Sequence, residues 1–349
     1  MLLSEAVTNR ENNFDFLRFV AATLVVLSHS WPLTTGSNSS EPLALLTQNQ
    51  LDFGALAVDI FFIISGFLIS YSYDRSRNIA SFARARALRI APALLVVVAI
   101  LALIVGPLVT TLSQVKYWSY FPFYSFISDH LPGVFAGNPF PLAADGSLWT
   151  IKFEVLFYVL VGILGLTSLL ANRVVLACLL LVAITPLGRH YTLDLLSFFA
   201  VGMLFYGFRK HIHIRANIAV LSVLLVVAGL AWRIPFISTW VLPLILPLGI
   251  GYAILWFTYS PAIRLHNFAK YGDWSYGLYI YAFPVQQLLV QYARIRSPLL
   301  LFLLAFPIST VLAALSWHLI EKHALKLKRP HRSVLDQSPF ITTTADAKA

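Results

Sequence analysis

Arg18 and His29 stand eleven positions apart in FDFLRFVAATLVVLSHSWP, 14–32, a run that is otherwise almost wholly apolar. In a helix, at about 100° per residue, the two would lie within about 20° of one face and about 16 Å apart along the axis. Asp15, three positions before Arg18, falls one turn away and can pair with the guanidinium. A charged side chain at the centre of an apolar helix costs about 2.5–3.5 kcal/mol on insertion scales, so each one needs a partner, a water-filled cavity or a function. Asp59, Lys152, Glu154 and His318 raise the same question. An imidazole can take a proton from a hydroxyl, and a nearby carboxylate can orient the ring and stabilise the imidazolium.

A second cationic group lies in SFARARALRIAP, 81–92, which holds Arg84, Arg86 and Arg89. Positive charge on one side of a membrane explains basic residues there. Their density also suits phosphate, which guanidinium groups bind bidentately. The span from Arg18 to His29 is comparable to an extended phosphopantetheine arm. An acyl-CoA could thus keep its phosphates at the arginines while its thioester reaches His29.

The elements that must position these groups are membrane helices. Of 349 residues 58% are hydrophobic and 11% charged, and the mean hydropathy is +0.77. A soluble domain carries about a quarter charged residues, so lipid must cover most of this exterior. Given that, the net charge of +10 reads as basic loops on one membrane side, and no nucleic-acid partner is expected. A helix needs about 20 apolar residues to cross the hydrocarbon core. The predicted spans are 14–31, 52–73, 90–112, 148–170, 174–188, 194–208, 216–232, 240–259, 275–292 and 298–318, an all-α polytopic transmembrane bundle of about ten helices.

Basic residues set its orientation. One side collects Arg10, Arg75, Arg77, Arg84, Arg86, Arg89, Arg173, Arg209, Lys210, Arg215, Arg264, Lys270 and the tail from Lys322 to Lys348, while the other has Lys116, Arg189, Arg233, Arg294 and Arg296. That bias puts both termini in the cytoplasm. Counted from the inner ends of their spans, His29, Asp59 and Glu154 come to about 22, 21 and 24 Å, one common level. Either carboxylate could hold the ring; Asp59 is preferred, which leaves Glu154 to position a substrate. Standing alone, a histidine near a helix end is usually a packing residue; the Arg18 spacing and the two carboxylates turn the reading toward catalysis. Asp15 reads as the partner of Arg18, Lys152 as a neutraliser of Glu154 or a chain reaching water, and His318 as structural. Ser65–Gly66 reads as a site of close helix packing.

The predicted organisation is a cytoplasmic segment 1–13, a transmembrane domain 14–322 and a basic, disordered tail 323–349, with no removable signal peptide. Trp31, Trp118, Trp149, Trp232 and Trp240 are expected near the outer interface. The aromatic outer loop 113–147 reads either as a lid or binding element or as a segment lying on the bilayer. Cys178 stands alone, so no internal disulfide is possible, and no metal site is expected.

At these residues the chain resembles the acyltransferase 3 family of membrane O-acyltransferases. The likeness runs through 14–32, GALAVDIFFIISGFLIS (54–70), RALRIAPAL (86–94), SLWTIKFEVLFY (147–158), WSYGLYIYAFPV (274–285) and LSWHLIEK (315–322), in order. It implies a ten-span domain, in a bacterial cytoplasmic membrane, that takes acyl groups, commonly acetyl, from cytoplasmic acyl-CoA. The acceptor it implies is a sugar hydroxyl of a cell-surface or secreted carbohydrate or glycolipid. Acyl-CoA is then a co-substrate and no cofactor is permanently bound. The family histidine falls on His29 and its basic residue on Arg18. Two positions depart from the pattern: Ala282 stands where the family often has histidine, and His323 where it often has proline. The soluble esterase-like domain of some relatives is not expected here. On this reading His29 is the base, Asp59 or Glu154 its support, and Arg18, Arg84, Arg86 and Arg89 the donor site; the acyl group moves directly or through an acyl-enzyme. A transporter or flippase for a glycan or acyl donor is the alternative, since intramembrane charges and proline-broken helices also suit transport.

Overall fold

A computed structural model describes residues 1–8, 11–124, 130–141, 143–185, 191–232, 234 and 236–328, with backbone only at 121–124 and 191. Arg10, Arg189, Arg233, Arg329, Arg332, Lys348 and the tail from 329 therefore lie outside the described residues. Those described form an all-helical fold with two isolated backbone bridges, Leu2 to His213 and His130 to Ala143. A helix stands at each of the ten expected runs: α1 (Phe14–Thr35), α2 (Phe53–Ser76), α3 (Ile79–Val109), α4 (Leu148–Leu166), α5 (Arg173–Ala183), α6 (Tyr191–Gly207), α7 (Ala216–Ala231), α8 (Ile237–Tyr259), α9 (Ser275–Ala293) and α10 (Pro298–Lys326). Among the described residues six of these, α1, α2, α3, α4, α8 and α10, are long and apolar enough to cross a membrane. The others are short, or in α9 are diluted by Gln286, Gln287 and four tyrosines. α10 continues as helix to Lys326, past the boundary expected at 322.

Helix α2 is apolar on every side, as a helix at the centre of a membrane bundle must be. It packs against α1, α3, α4, α6 and α8, while α1 also packs on α9 and α10. The α2–α6 contact is the closest, because glycines face backbone on both sides. A Cβ on Gly66 would sit 2.0 Å from the Phe199 carbonyl oxygen, and one on Gly202 would sit 2.2 Å from that of Ile63. Small residues let membrane helices approach this way and gain van der Waals contact that lipid does not offer. Side-chain caps fix where helices begin: Asp52 accepts from Ala55 N at 2.7 Å, and Asn78 from Ser81 N at 2.8 Å. The exposed faces of α7 and α10 are apolar, including Leu221, Leu224, Leu303, Val311 and Leu319, which suits contact with lipid.

The long loop between α3 and α4 folds onto α9. Buried Gln287 donates to the carbonyls of Phe140 and Ala143 at 2.9 and 3.0 Å, while Asn138 donates to the Gln287 side chain at 2.7 Å. Residues 130–141 and 143–147 are thus tied to the bundle beside Phe283. Of the five tryptophans expected at the outer interface, Trp118, Trp232 and Trp240 are exposed and Trp31 is buried. Trp149 lines a cavity instead.

Candidate active site

Two cavities lie within the bundle. The smaller, about 130 Å³, is lined by Arg18 of α1, Ser65 of α2, Arg86 and Arg89 of α3, Glu154 and Tyr158 of α4, and Tyr276 and Tyr279 of α9. Two of its three arginines, Arg18 and Arg89, are held by acids from three directions. Arg18 pairs with Asp15 one turn away and reaches Asp273, in the turn before α9, at 3.7 Å. Arg89 donates to the same Asp273 oxygen at 2.5 Å and lies 4.0 Å from Glu321. Glu321 is buried in a π-helical turn, Trp317–Glu321, of α10. Burial alone would raise the Asp273 pKa; Arg89, then Arg18, and two hydrogen bonds from Ser275 outweigh it and hold the carboxyl well below the usual range. Arg86 forms no ion pair among the described residues, and its Nε is buried without a hydrogen-bond partner. Its guanidinium lies 5.9 Å from the centre of the Tyr158 ring, whose hydroxyl donates to Glu154.

The larger cavity, about 550 Å³, opens between α1, α2, α6 and α8. His29, Ser28, Asp52, Asp59, Asp194 and Trp149 are among its walls. His29 is partly exposed and packs edge-on against Phe283 at 5.1 Å. Its Nδ1 is buried with no hydrogen-bond partner. Asp52 and Asp59 line the same cavity as the ring. No hydrogen bond joins Asp59 or Glu154 to His29 among the described residues.

Val58 and Tyr279 line both cavities. The Tyr279 hydroxyl is buried 2.6 Å from Thr150 Oγ1, where either can donate. One wall thus separates an arginine-rich space from one holding an imidazole, and its polar element is this hydroxyl pair.

The structure places the expected site residues in two groups and leaves one outside. His29 and Asp59 share the larger cavity, while Arg18, Arg86, Arg89 and Glu154 share the smaller. The common level expected for Glu154 and His29 does not become a shared cavity: Tyr158, one turn beyond Glu154, reaches Arg86, so this part of α4 belongs to the arginine side. Arg84 is exposed and lines neither cavity. Lys152 is exposed and stacks over Phe153 at 5.1 Å rather than pairing with Glu154. Sequence reasoning missed Asp52 and Asp194 because each falls at the start of an apolar run, where a charge costs little. It missed Asp273 and Glu321 because they lie at or beyond span ends, and only the folded bundle brings them to Arg89.

The described helices thus form an apolar bundle in which a histidine-lined cavity is backed by an arginine-lined one. A family model described as an acyltransferase domain matches residues 11–318; the chain belongs to the acyltransferase 3 family and is a membrane acyltransferase. It is 30% identical to nodulation protein 10 of Rhizobium leguminosarum bv. viciae, over 93% of this chain and 96% of that protein. It is 28% identical to an O-acetyl transferase of Shigella phage Sf6, over 93% of this chain and 99% of that one. No solved structure matches.

Proposed function

We propose that this chain moves an acyl group, acetyl in the first instance, from cytoplasmic acyl-CoA to a hydroxyl of a cell-surface or secreted carbohydrate. The observation that carries the reading is the meeting of two chemically unlike cavities at Tyr279. The name of the phage relative, an O-acetyl transferase, supports acetyl as the group and oxygen as the acceptor. Ten spans with both termini in the cytoplasm of a bacterial inner membrane complete the proposal, since they turn the arginine cavity toward the acyl-CoA pool.

On this reading Arg86 and its neighbours Arg18 and Arg89 hold the phosphates and pantetheine of the donor. The thioester then lies at the wall, and the acceptor occupies the larger cavity. His29 takes the proton of the acceptor hydroxyl as its oxygen attacks the thioester carbonyl carbon. The carbonyl oxygen becomes an oxyanion, and Tyr279 with Thr150 supplies the hydroxyl donors at that point. The intermediate collapses, the carbon–sulfur bond breaks, and the CoA thiolate leaves and takes the proton back from the imidazolium. General-base help of this kind is worth roughly 10²–10⁴ in rate, or about 3–5 kcal/mol of barrier.

His29→Ala is therefore expected to reach the membrane with unchanged thermal stability and to lose at least about 10²-fold in acyl transfer. The assay is purified protein in detergent with acetyl-CoA and a glycan acceptor, reading released thiol and acetylated sugar together. Normal transfer by the variant would remove His29 from the mechanism.

A further inference from the structure

The larger cavity is acidic. Asp59 is 6% exposed, lines the cavity, and has no hydrogen bond or ion pair to any described residue. A carboxyl buried that way is costly until something donates to it. Asp52 stands in the same wall with its Oδ1 on Ala55 N at 2.7 Å and its Oδ2 on Asn38 Nδ2 at 3.0 Å. Each of those oxygens keeps a lone pair for a further donor. Asp194 faces the same space, and no lysine or arginine lines it among the described residues. Trp149 offers a flat apolar face, and Ser28 and Gln50 offer neutral polar groups. The volume falls within the range of about 300–1,000 Å³ typical of small-molecule sites.

A sugar ring matches this surface well. Its C–H face can lie on an indole, and its hydroxyls or an amine can donate to the carboxylates. A ring that carries a carboxylate or phosphate does not match, because it sets negative charge against Asp52 and further acceptor oxygens against the unpartnered Asp59 carboxyl. We propose that the cavity admits an acceptor sugar that is uncharged or bears an amine and excludes anionic sugars, with Asp52 and Asp59 as the selecting residues. The inference rests on the acceptor reading of this cavity given above.

The test compares three forms of one disaccharide methyl glycoside, neutral, amino and uronate, as acceptors for acetyl-CoA with the purified protein. The neutral and amino forms are expected to exceed the uronate by about 10²-fold in kcat/KM, the size expected when like charges meet within about 5 Å at an effective permittivity of about 20. Asp52→Asn and Asp59→Asn are expected to pull that ratio toward one. Because Asp59→Asn can also lower turnover, the same ratio is read from equilibrium binding of the three sugars to His29→Ala protein, alone and combined with each aspartate variant. A uronate accepted or bound as well as the neutral sugar overturns the proposal, and so does a ratio that neither substitution changes. Selective binding without any acetyl transfer would instead count against the transferase reading and leave the selectivity standing.

Discussion

Tyr279, with Val58, lines both cavities, and in the proposed reaction its hydroxyl donates to the thioester oxyanion. Tyr279→Phe keeps the ring and removes only that donor. It is expected to lower kcat by about 10²–10³, the usual cost of one oxyanion donor, with little change in the KM for acetyl-CoA. Steady-state release of CoA thiol measures both numbers, and an unchanged kcat would assign the hydroxyl to packing alone. Asp273 makes a different prediction. Its carboxyl is held below the usual range mainly by Arg89 and then Arg18, against the opposing effect of burial. A depressed acid contributes stability that is fully present above the ordinary carboxylate pKa of about 4 and is lost as pH falls toward the folded value. Thermal stability in detergent should therefore change little with this group between pH 7 and 5 and drop below about pH 4. In Asp273→Asn that drop should shrink, while at neutral pH the variant should be about 2 kcal/mol less stable, because Arg89 loses its nearest carboxylate and Arg18 keeps only Asp15. The sequence showed Arg18, His29, Asp59 and Glu154 as charges that needed explaining, since each sits inside or beside an apolar run. It could not show which of them face one another, because that depends on helix rotation and axial offset, neither of which has a signature in residue order.

Helix α2 ties the site together, since it lends Ser65 to one cavity, Asp59 and its capping residue Asp52 to the other, and Val58 to the wall between them. Its position against α6 depends on Gly66 and Gly202, whose missing Cβ atoms leave room for backbone on the facing helix. Gly66→Leu should part the two helices, and the expected outcome is a large loss of folded protein in a thermal size-exclusion assay. Gly137, where a Cβ would meet nothing within 4 Å, is the control: Gly137→Ala should leave the yield unchanged. The ten apolar runs were readable from composition alone and a helix stands at each. Offsets along their axes were not readable. Counting residues from an assumed boundary put Glu154 level with His29, yet α4 opens with a 3₁₀ turn at Leu148–Thr150 and sets Glu154 and Tyr158 among the arginines. Arg84 shows the same limit within one helix. It shares a short basic stretch with Arg86 and Arg89, but the turn of α3 leaves it exposed.

Within the bundle an arginine-lined cavity and an aspartate-lined cavity lie on either side of the wall formed by Val58 and Tyr279. The proposed orientation makes a direct prediction once the native Cys178 is replaced by alanine. A cysteine at position 84 should be shielded from a membrane-impermeant maleimide in intact cells and react in inverted vesicles, while one at position 38 should do the reverse. Equal labelling of both from one side would contradict the proposed topology. In the proposed reaction donor and acceptor approach from opposite faces and meet at Tyr279, where His29 acts as the base. Proteoliposomes with acetyl-CoA outside and the glycan acceptor sealed inside test it most directly. The expected result is acetylated glycan in the lumen and an equal amount of free CoA outside, both absent with His29→Ala. Glycan that crosses the bilayer without CoA release, or transfer that occurs only when both substrates share one compartment, would contradict the account.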